Sequence, residues 1–154
     1  MQHPIDKVRI RQATAADAAQ LGKLLSLLFA QEADFKPDAR RQSRGLRLIL
    51  NQPEVGIIYC AAKGKSVIGM VSVLFTVSTA EGGRAAWLED MVVHPDWRGK
   101  CIGAHLLHEA INGVRAAGCT RITLLTDSTN SVAIHFYEKA GFVRSGMIPL
   151  RLHL

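Results

Sequence analysis

The sequence predicts one mixed α/β domain, because β-rich segments fill the middle of the chain and helical patterns lie on both sides of them. A length of 154 residues leaves little room for a second domain. The 48% hydrophobic content is ordinary for a globular chain that needs neither a disulfide nor a metal to fold. We expect a mixed, mostly antiparallel sheet flanked by helices, in the order β-αα-βββ-α-β-α-β.

The first third predicts a strand and two helices. Residues 8–14 predict a short strand, and Thr14 is a plausible N-cap for the helix that follows. That helix is indicated by leucines at helical spacing, namely Leu21, Leu24, Leu25 and Leu28. Residues 30–37 are polar and acidic and predict a loop. Residues 38–50 predict a second helix that is basic on one side.

Three strand patterns follow, over residues 57–62, 67–77 and 87–93. The Lys63-Gly64-Lys65 and Gly82-Gly83 segments between them are turn signals. Strands joined by such short turns predict an antiparallel meander.

The last third alternates helix and strand. Residues 103–117 and 130–140 predict helices, and 121–126 predict a strand between them. In residues 150–154 leucines alternate with Arg151 and His153, which predicts a half-exposed final strand. Pro149 suggests a bulge or a sheet edge before it.

Composition excludes several classes of protein. No apolar run approaches the roughly 20 residues needed to span a bilayer, and residues 1–11 lack the apolar core of a secretory signal. Cys60, Cys101 and Cys119 are odd in number and lack C-x-x-C spacing, which favours a reducing cytoplasm. The net charge of +6 favours an acidic partner. Aromatic residues are only 6% and no RNP-type segment occurs, so we do not expect nucleic-acid binding.

The segment from Val93 to Ala104 has the character of a phosphate loop. It connects a predicted strand to a predicted helix, whose N-terminus offers unpaired N–H groups and the positive end of the helix dipole. Gly99 would let a phosphate approach the backbone, and Arg98 and Lys100 add positive charge. The segment contains neither a Walker A motif nor a G-x-G-x-x-G fingerprint.

The motif R-G-K-C-I-G-A in this loop resembles the R/Q-x-x-G-x-G/A signature of the GNAT acetyltransferase superfamily. Its lead-in, L-E-D-M-V-V-H-P-D-W-R-G-K, is similar to that of diamine acetyltransferases. The resemblance implies a single domain over residues 1–154 with the GNAT acyl-CoA N-acyltransferase fold and acetyl-CoA as co-substrate, without a metal. It also implies that the pyrophosphate binds Arg98, Gly99, Lys100, Cys101, Ile102, Gly103 and Ala104. Cys101 stands where the motif usually has glycine, a substitution we expect to be sterically allowed at a first helical turn.

Glu89, Met91 and Val93 share one side of the predicted strand before the loop. The resemblance implies that the backbones of Met91 and Val93 hold the pantetheine and the thioester carbonyl. Glu89 is then a candidate general base, although it could instead attract the cationic amine or be structural. Simple alternation places Asp90 on the opposite face, in a structural role. We expect His94 to be a solvated turn residue.

The segment from Asn130 to Phe142 resembles the family pattern N-x-x-A-x-x-F-Y-x-x-x-G-F. Asn130, Ala133, Ile134 and Tyr137 share one helical face. The resemblance implies that Asn130 contacts the pantetheine and that Tyr137 lies near the sulfur. The hydroxyl group of a tyrosine there could protonate the departing thiolate.

These patterns together predict an N-acetyltransferase in which a primary amine attacks acetyl-CoA directly in a ternary complex. The alternative is a catalytically silent CoA-binding sensor or scaffold with the same fold. The resemblance also implies that the loop with Glu32, Asp34 and Phe35 rims the acceptor pocket, and its acidic groups would suit a cationic amine such as a polyamine, an aminoglycoside or a peptide N-terminus. The exposed final strand predicts a homodimer, because unpaired strand edges invite pairing.

Overall fold

The computed structural model describes residues 8–32 and 34–154, and in these it contains five strands and four α-helices. The strands are β1 (Val8–Gln12), β2 (Gly56–Lys63), β3 (Ser66–Ser78), β4 (Gly83–Val93) and β5 (Ile122–Leu124). The helices are α1 (Ala18–Phe29), α2 (Ala39–Leu50), α3 (Ile102–Ala116) and α4 (Ser131–Lys139). Most of the segment in which we looked for a secretory signal, residues 1–7, lies outside the described residues.

The sheet has the strand order β1-β2-β3-β4-β5. The first four strands are antiparallel neighbours, which confirms the predicted meander, and β5 joins β4 in parallel. Parallel pairing requires a crossover between the two strands, and α3 provides it. The predicted mixed, mostly antiparallel sheet is therefore confirmed.

Helices cover both faces of the sheet. On one face, α3 packs Leu106 and Val114 against Tyr59 and Val71 of the sheet. Gly113 allows this close approach, because a Cβ atom there would collide with the Tyr59 hydroxyl. On the other face, α1 and α2 bury a second cluster, which contains Leu21, Leu24, Leu25, Leu46, Cys60, Met70 and Val92. Both clusters meet the sheet along β3 and β4, so the ends of these strands are held rigidly.

A buried carboxylate fixes the start of α1. Asp17 accepts two bonds from the Arg11 guanidinium, at 2.8 and 2.9 Å, and one from the Thr14 N–H at 2.8 Å. The bond from Arg11 is the main cause that lowers the pKa of Asp17 to about 2. This arrangement places Thr14 at the cap of a short 3-10 turn, Ala15–Asp17, rather than in β1.

The predicted final strand is wrong. Residues 143–154 have no helix or strand, and we call them the C-terminal segment. In the described residues the sheet ends at β5, and no strand of the sheet pairs with the leucines of this segment. Leu150 and Leu152 are 90% and 83% exposed, so the segment lacks both the ladder hydrogen bonds and the burial that stabilise a strand.

None of the helices in residues 8–32 and 34–154 combines the length and the apolar character that crossing a bilayer requires.

Candidate active site

The gap between β4 and β5 is the central feature of the site. The two strands pair from Ala86 opposite Ile122 to Leu88 opposite Leu124, and among the described residues β4 has no strand partner on this side after Leu88. β4 therefore presents the edge of its last five residues, 89–93, to an open cleft. A strand edge of this kind accepts another extended chain through backbone hydrogen bonds.

Two N–H groups of β4 point into this gap. The next residue along the chain, His94, donates its N–H to Ile68 O of the neighbouring strand β3 at 2.8 Å. Because N–H groups alternate between the two edges of a strand, those of Met91 and Val93 face the opposite edge, where β5 has left the sheet. These are the backbone groups that the family resemblance implied as donors to the pantetheine and the thioester carbonyl.

A β-bulge interrupts β4 at the start of the gap, where Glu89 and Asp90 together oppose Ser72 of β3. Leu88 before the bulge and Met91 after it both pack toward α3. Ser72 lies on the other face, and its hydroxyl is hydrogen-bonded to Asp90. The expectation that Asp90 lies on the face opposite Glu89 is therefore wrong, because simple alternation fails at a bulge.

The two carboxylates at the bulge lie in different environments. Glu89 is exposed, whereas Asp90 is partly buried between β3 and α1. Burial is the largest cause that raises the pKa of Asp90 to about 6, and the charges of Glu89 and Glu32 add to the effect. The bond from Ser72 acts in the opposite direction. The sequence pointed to Glu89 as the candidate base and gave no sign that the pKa of its neighbour Asp90 would be raised.

The predicted phosphate loop leads into α3 with two left-handed residues. Gly99 has φ +72° and Cys101 has φ +58°, and Cys101 is the N-cap of the helix. No side chain in the described residues caps this end, so the N–H groups of Ile102, Gly103 and Ala104 are free for a ligand. A non-glycine residue with this φ is strained by about 1–2 kcal/mol. Cys101 is therefore the left-handed N-cap of α3 and not the first-turn residue that we expected.

The loop cations fold back onto their own segment. Arg98 Nε donates to Val93 O at 3.0 Å, and Lys100 Nζ donates to Asp96 O at 3.1 Å. Lys100 Nζ also lies 4.6 Å from the centre of the Trp97 ring, and Lys63 Nζ of β2 lies 4.4 Å from it. Lys63 was not among the predicted site residues, because its proximity to the loop depends on the order of the strands in the sheet.

A short 3-10 turn, Pro95–Trp97, separates β4 from the loop, and His94 caps it by accepting from the Asp96 N–H through Nδ1 at 3.3 Å. The ring is partly exposed, as expected for a turn histidine.

Asn130 begins α4, where its side-chain oxygen accepts from the Ala133 N–H at 3.1 Å. This is an N-cap role, and it leaves the side-chain NH₂ group to donate elsewhere. The helix ends at Lys139, and Gly141, two residues further on, has a φ of +99° that lets the chain reverse.

Tyr137 packs in an aromatic group at the end of α4. Its ring is edge-on to Phe136 at 5.1 Å and to Phe142 at 5.7 Å. Burial raises the pKa of the Tyr137 hydroxyl to about 12, so it stays protonated at neutral pH. Phe136 lies beside Gly103 and Met91, because a Cβ atom at Gly103 would be 3.6 Å from both side chains. α4, the phosphate loop and β4 thus meet at one end of the gap.

The loop between α1 and α2 contacts the C-terminal segment. Arg151 pairs with Asp34 at 3.2 Å, and its guanidinium lies 5.5 Å from the Phe35 ring centre. Glu32 in the same loop contributes its charge to the surroundings of Asp90. One of the acidic groups that we expected at the acceptor pocket, Asp34, is therefore paired with Arg151. In the described residues, no three His, Cys, Asp or Glu side chains gather as metal ligands would.

An acyl-CoA fits this arrangement: its extended arm suits a strand edge with outward N–H groups, and its pyrophosphate suits the uncapped N-terminus of α3. The chain is similar to proteins that use such a co-substrate. Residues 22–142 match the model of the acetyltransferase (GNAT) family. The chain belongs to this family and carries an N-acetyltransferase domain.

Two relatives illustrate the similarity. Glucosamine 6-phosphate N-acetyltransferase of Trypanosoma brucei brucei is 33% identical over 98 residues, which cover 63% of this chain and 64% of that protein. Aminoalkylphosphonate N-acetyltransferase of Salmonella typhimurium is 28% identical over 136 residues, which cover 88% and 85%. The chain spans between 42% and 64% of the lengths of the first three curated relatives it matches.

The fold is shared with solved structures. An integron cassette protein from the mobile metagenome of Cole Harbour Salt Marsh superposes with a TM-score of 0.82 at 28% identity, covering 94% of this chain and 90% of that one. A possible acetyltransferase from Clostridium difficile gives a TM-score of 0.85 at 17% identity, with coverages of 96% and 97%, and supports the fold alone.

Proposed function

We propose that this protein transfers the acetyl group of acetyl-CoA to a primary amine by direct attack in a ternary complex. The observation that carries the proposal is the separation of β4 from β5 after Leu88, which leaves the N–H groups of Met91 and Val93 facing an open cleft. Binding both substrates in this cleft supplies proximity and orientation, so no covalent enzyme intermediate is needed.

The backbone of β4 and the phosphate loop hold the acetyl-CoA. Met91 and Val93 would donate to the pantetheine and to the thioester oxygen. A donor aimed at the charge that develops on that oxygen is worth about 3 kcal/mol of barrier. The pyrophosphate would lie on the loop residues 98–104, with Arg98, Lys100 and Lys63 as nearby cations and Asn130 donating its NH₂ group to the arm.

Tyr137 is the proposed general acid. Its hydroxyl proton passes to the sulfur as the thiolate leaves, and the phenolate recovers a proton from the newly acylated nitrogen. The raised pKa suits this role, because the group stays protonated until it is needed.

The proposed acceptor is a cationic amine. Glu89 is exposed at the narrow end of the gap and Glu32 lies in the loop above it, so the cleft has acidic groups where the amine must enter. Glu89 draws the cation in, and it is one of two carboxylates there that can accept the amine's proton. The names of two relatives give an amino sugar phosphate and aminoalkylphosphonates as acceptors, so a phosphorylated amine belongs in the test panel.

Calorimetry with acetyl-CoA, followed by thiol release with an amine panel, tests the proposal. The panel contains a polyamine, an aminoglycoside, glucosamine 6-phosphate, an aminoalkylphosphonate and a peptide with a free N-terminus. We expect binding and thiol release, with kcat reduced at least about 100-fold in Tyr137→Phe. His135→Ala is the matched control, because His135 is exposed on the same helix. Equal kcat in Tyr137→Phe would contradict the general-acid role.

A silent CoA-binding module is the second candidate, and the left-handed Cys101 is the observation that favours it. A side chain and a strained backbone at the phosphate loop could hold CoA in a geometry unsuited to turnover. Tight acetyl-CoA binding without thiol release from any amine of the panel would support this candidate.

We also propose a homodimer in the cytoplasm. The C-terminal segment exposes Met147, Ile148, Leu150 and Leu152, an apolar run that a second copy would cover. The described cysteines, Cys60, Cys101 and Cys119, are all free, which suits a reducing compartment. Sedimentation should give a dimer that Leu150→Ser with Leu152→Ser dissociates, whereas Val132→Ser on α4 should not. A monomeric wild type would contradict this assembly.

A further inference from the structure

At the bulge in β4, the Ser72 hydroxyl bonds both the N–H group and the carboxylate of Asp90, an arrangement that a regular strand would lack. Ser72 is fully buried on β3, and its hydroxyl accepts from the Asp90 N–H at 3.2 Å and donates to Asp90 Oδ2 at 3.2 Å. The backbone and the carboxylate of Asp90 are thus fixed by the same hydroxyl. Because both its backbone and its side chain are bonded to Ser72, Asp90 has a defined side-chain orientation at the point where the gap begins.

The groups that face Asp90 are uncharged or negative. Glu89 lies beside it on β4, and Glu32 faces it from the loop after α1. β3 contributes Ser72, and α1 covers this face of the sheet with apolar side chains, Leu21, Leu24 and Leu25. In the described part of the chain, Asp90 forms no ion pair with a lysine or arginine. Among residues 8–32 and 34–154, no lysine or arginine pairs with this carboxylate and keeps it ionised, so it can bind a proton or a cationic substrate.

We infer that Asp90, positioned by Ser72, takes the proton from the acceptor ammonium, while Glu89 attracts that ammonium to the strand. This inference rests on the proposed function and assigns the base within it. The ammonium N–H bond breaks, its proton passes to the Asp90 carboxylate directly or through a water, and the freed electron pair of nitrogen attacks the thioester carbon. Asp90 then returns the proton to solvent.

Two physical arguments favour Asp90 over Glu89 for this step. A general base works best when its pKa is close to the operating pH, and the pKa of Asp90 is raised to about 6, mainly by burial. Pairs of carboxylates in unlike environments also divide their roles, one remaining charged in water and the other exchanging a proton. Exposed Glu89 and partly buried Asp90 are such a pair.

The test is the pH profile of kcat/KM in wild type, Asp90→Asn, Glu89→Gln and Ser72→Ala, with acetyl-CoA affinity and melting temperature measured for each. In wild type we expect activity to rise through an apparent pKa near 6. Asp90→Asn should lose at least about 100-fold in kcat with acetyl-CoA affinity retained. Glu89→Gln should raise KM for the amine and leave the acid limb where it is.

Ser72→Ala distinguishes a positioning role from a structural one. The bond from Ser72 lowers the pKa of Asp90, so its removal should move the acid limb to higher pH. If kcat falls in Ser72→Ala while the acid limb of the pH profile stays in place, Ser72 has only a structural role, and the proposal that it positions Asp90 is overturned. An acid limb that disappears in Glu89→Gln and persists in Asp90→Asn would overturn the assignment of the base. Wild type that binds acetyl-CoA but releases no thiol with any amine would instead refute the proposed function itself.

Discussion

Arg151 joins the C-terminal segment to the loop between the first two helices, 117 residues away, through a 3.2 Å bond to Asp34. The same guanidinium lies over the Phe35 ring. Glu32, which in the proposed function lies where the amine enters, belongs to the same loop. In that proposal the acceptor side is bounded by a segment that is not part of the sheet.

Arg151→Ala should release the C-terminal segment without unfolding the domain. An exposed ion pair is worth about 0.2–1 kcal/mol, and an exposed cation–π contact about 0.5–1 kcal/mol. We expect faster hydrogen exchange and proteolysis within residues 143–154 and little change in melting temperature. Arg144→Ala, which removes the Arg144–Glu138 pair, is the control. Equal protection in wild type and Arg151→Ala would show that the contact does not hold the segment.

Cys101→Gly should stabilise the protein and improve acetyl-CoA binding. Glycine relieves left-handed strain of about 1–2 kcal/mol, and its extra freedom in the unfolded chain offsets about 0.5–1 kcal/mol. A net gain of about 0.5–1 kcal/mol in the free energy of unfolding should appear in urea denaturation. Cys101→Ala removes the thiol and keeps the strain, so it should behave like wild type. A gain in the alanine variant would implicate the thiol instead.

Asn130→Ala and Asn130→Ser should separate the two roles of Asn130. Alanine removes the N-cap of α4 and should lower the free energy of unfolding by about 1 kcal/mol. Serine retains the cap and removes the NH₂ donor. If the donor holds the pantetheine, acetyl-CoA affinity measured by calorimetry should fall in both variants, while stability should fall only in alanine. Wild-type affinity in the serine variant would restrict Asn130 to capping.

Acid should weaken the start of α1 once the pH falls below about 4, where ordinary surface carboxylates are already taking up protons. The pKa of Asp17 is lowered from 3.8 to about 2, so its contribution to stability is complete above about pH 4 and is lost as pH falls toward 2. Asp17→Asn should lower the free energy of unfolding at pH 7 by about 1.5–3 kcal/mol, typical for hydrogen bonds to a charged group. It should also flatten the acid dependence, whereas exposed Glu54→Gln should change neither. If the free energy of unfolding of Asp17→Asn depends on pH as in wild type, Asp17 does not cause the loss of stability in acid.

Local patterns predicted most of the helices and strands well, because these patterns depend on neighbours in sequence. The leucines of α1 at helical spacing and the glycine turns of the meander are local signals, and the structure confirms both elements. The contacts of Lys63 with Trp97 and of Arg151 with Asp34 join segments distant in the chain. No spacing rule gives such pairs before the sheet order is known.

The errors have local physical causes. Alternation failed at Asp90 because a bulge adds one residue to β4 without a sequence signal of its own. The leucines of residues 150–154 alternate as in a strand, but a strand also requires a partner edge, and the described chain supplies none. The sequence placed Cys101 correctly in the motif but did not predict its left-handed conformation. The glycine usual at this position adopts that conformation freely, so the motif does not show that it is required.

The gap beside β4 also bears on how such a protein can change over generations. Its two central donors, at Met91 and Val93, are peptide groups, which every residue except proline supplies. If these groups bind acetyl-CoA as proposed, substitutions at Met91 and Val93 can reshape the cleft for a bulkier acyl group or a different amine while the backbone contacts with the acyl carrier persist.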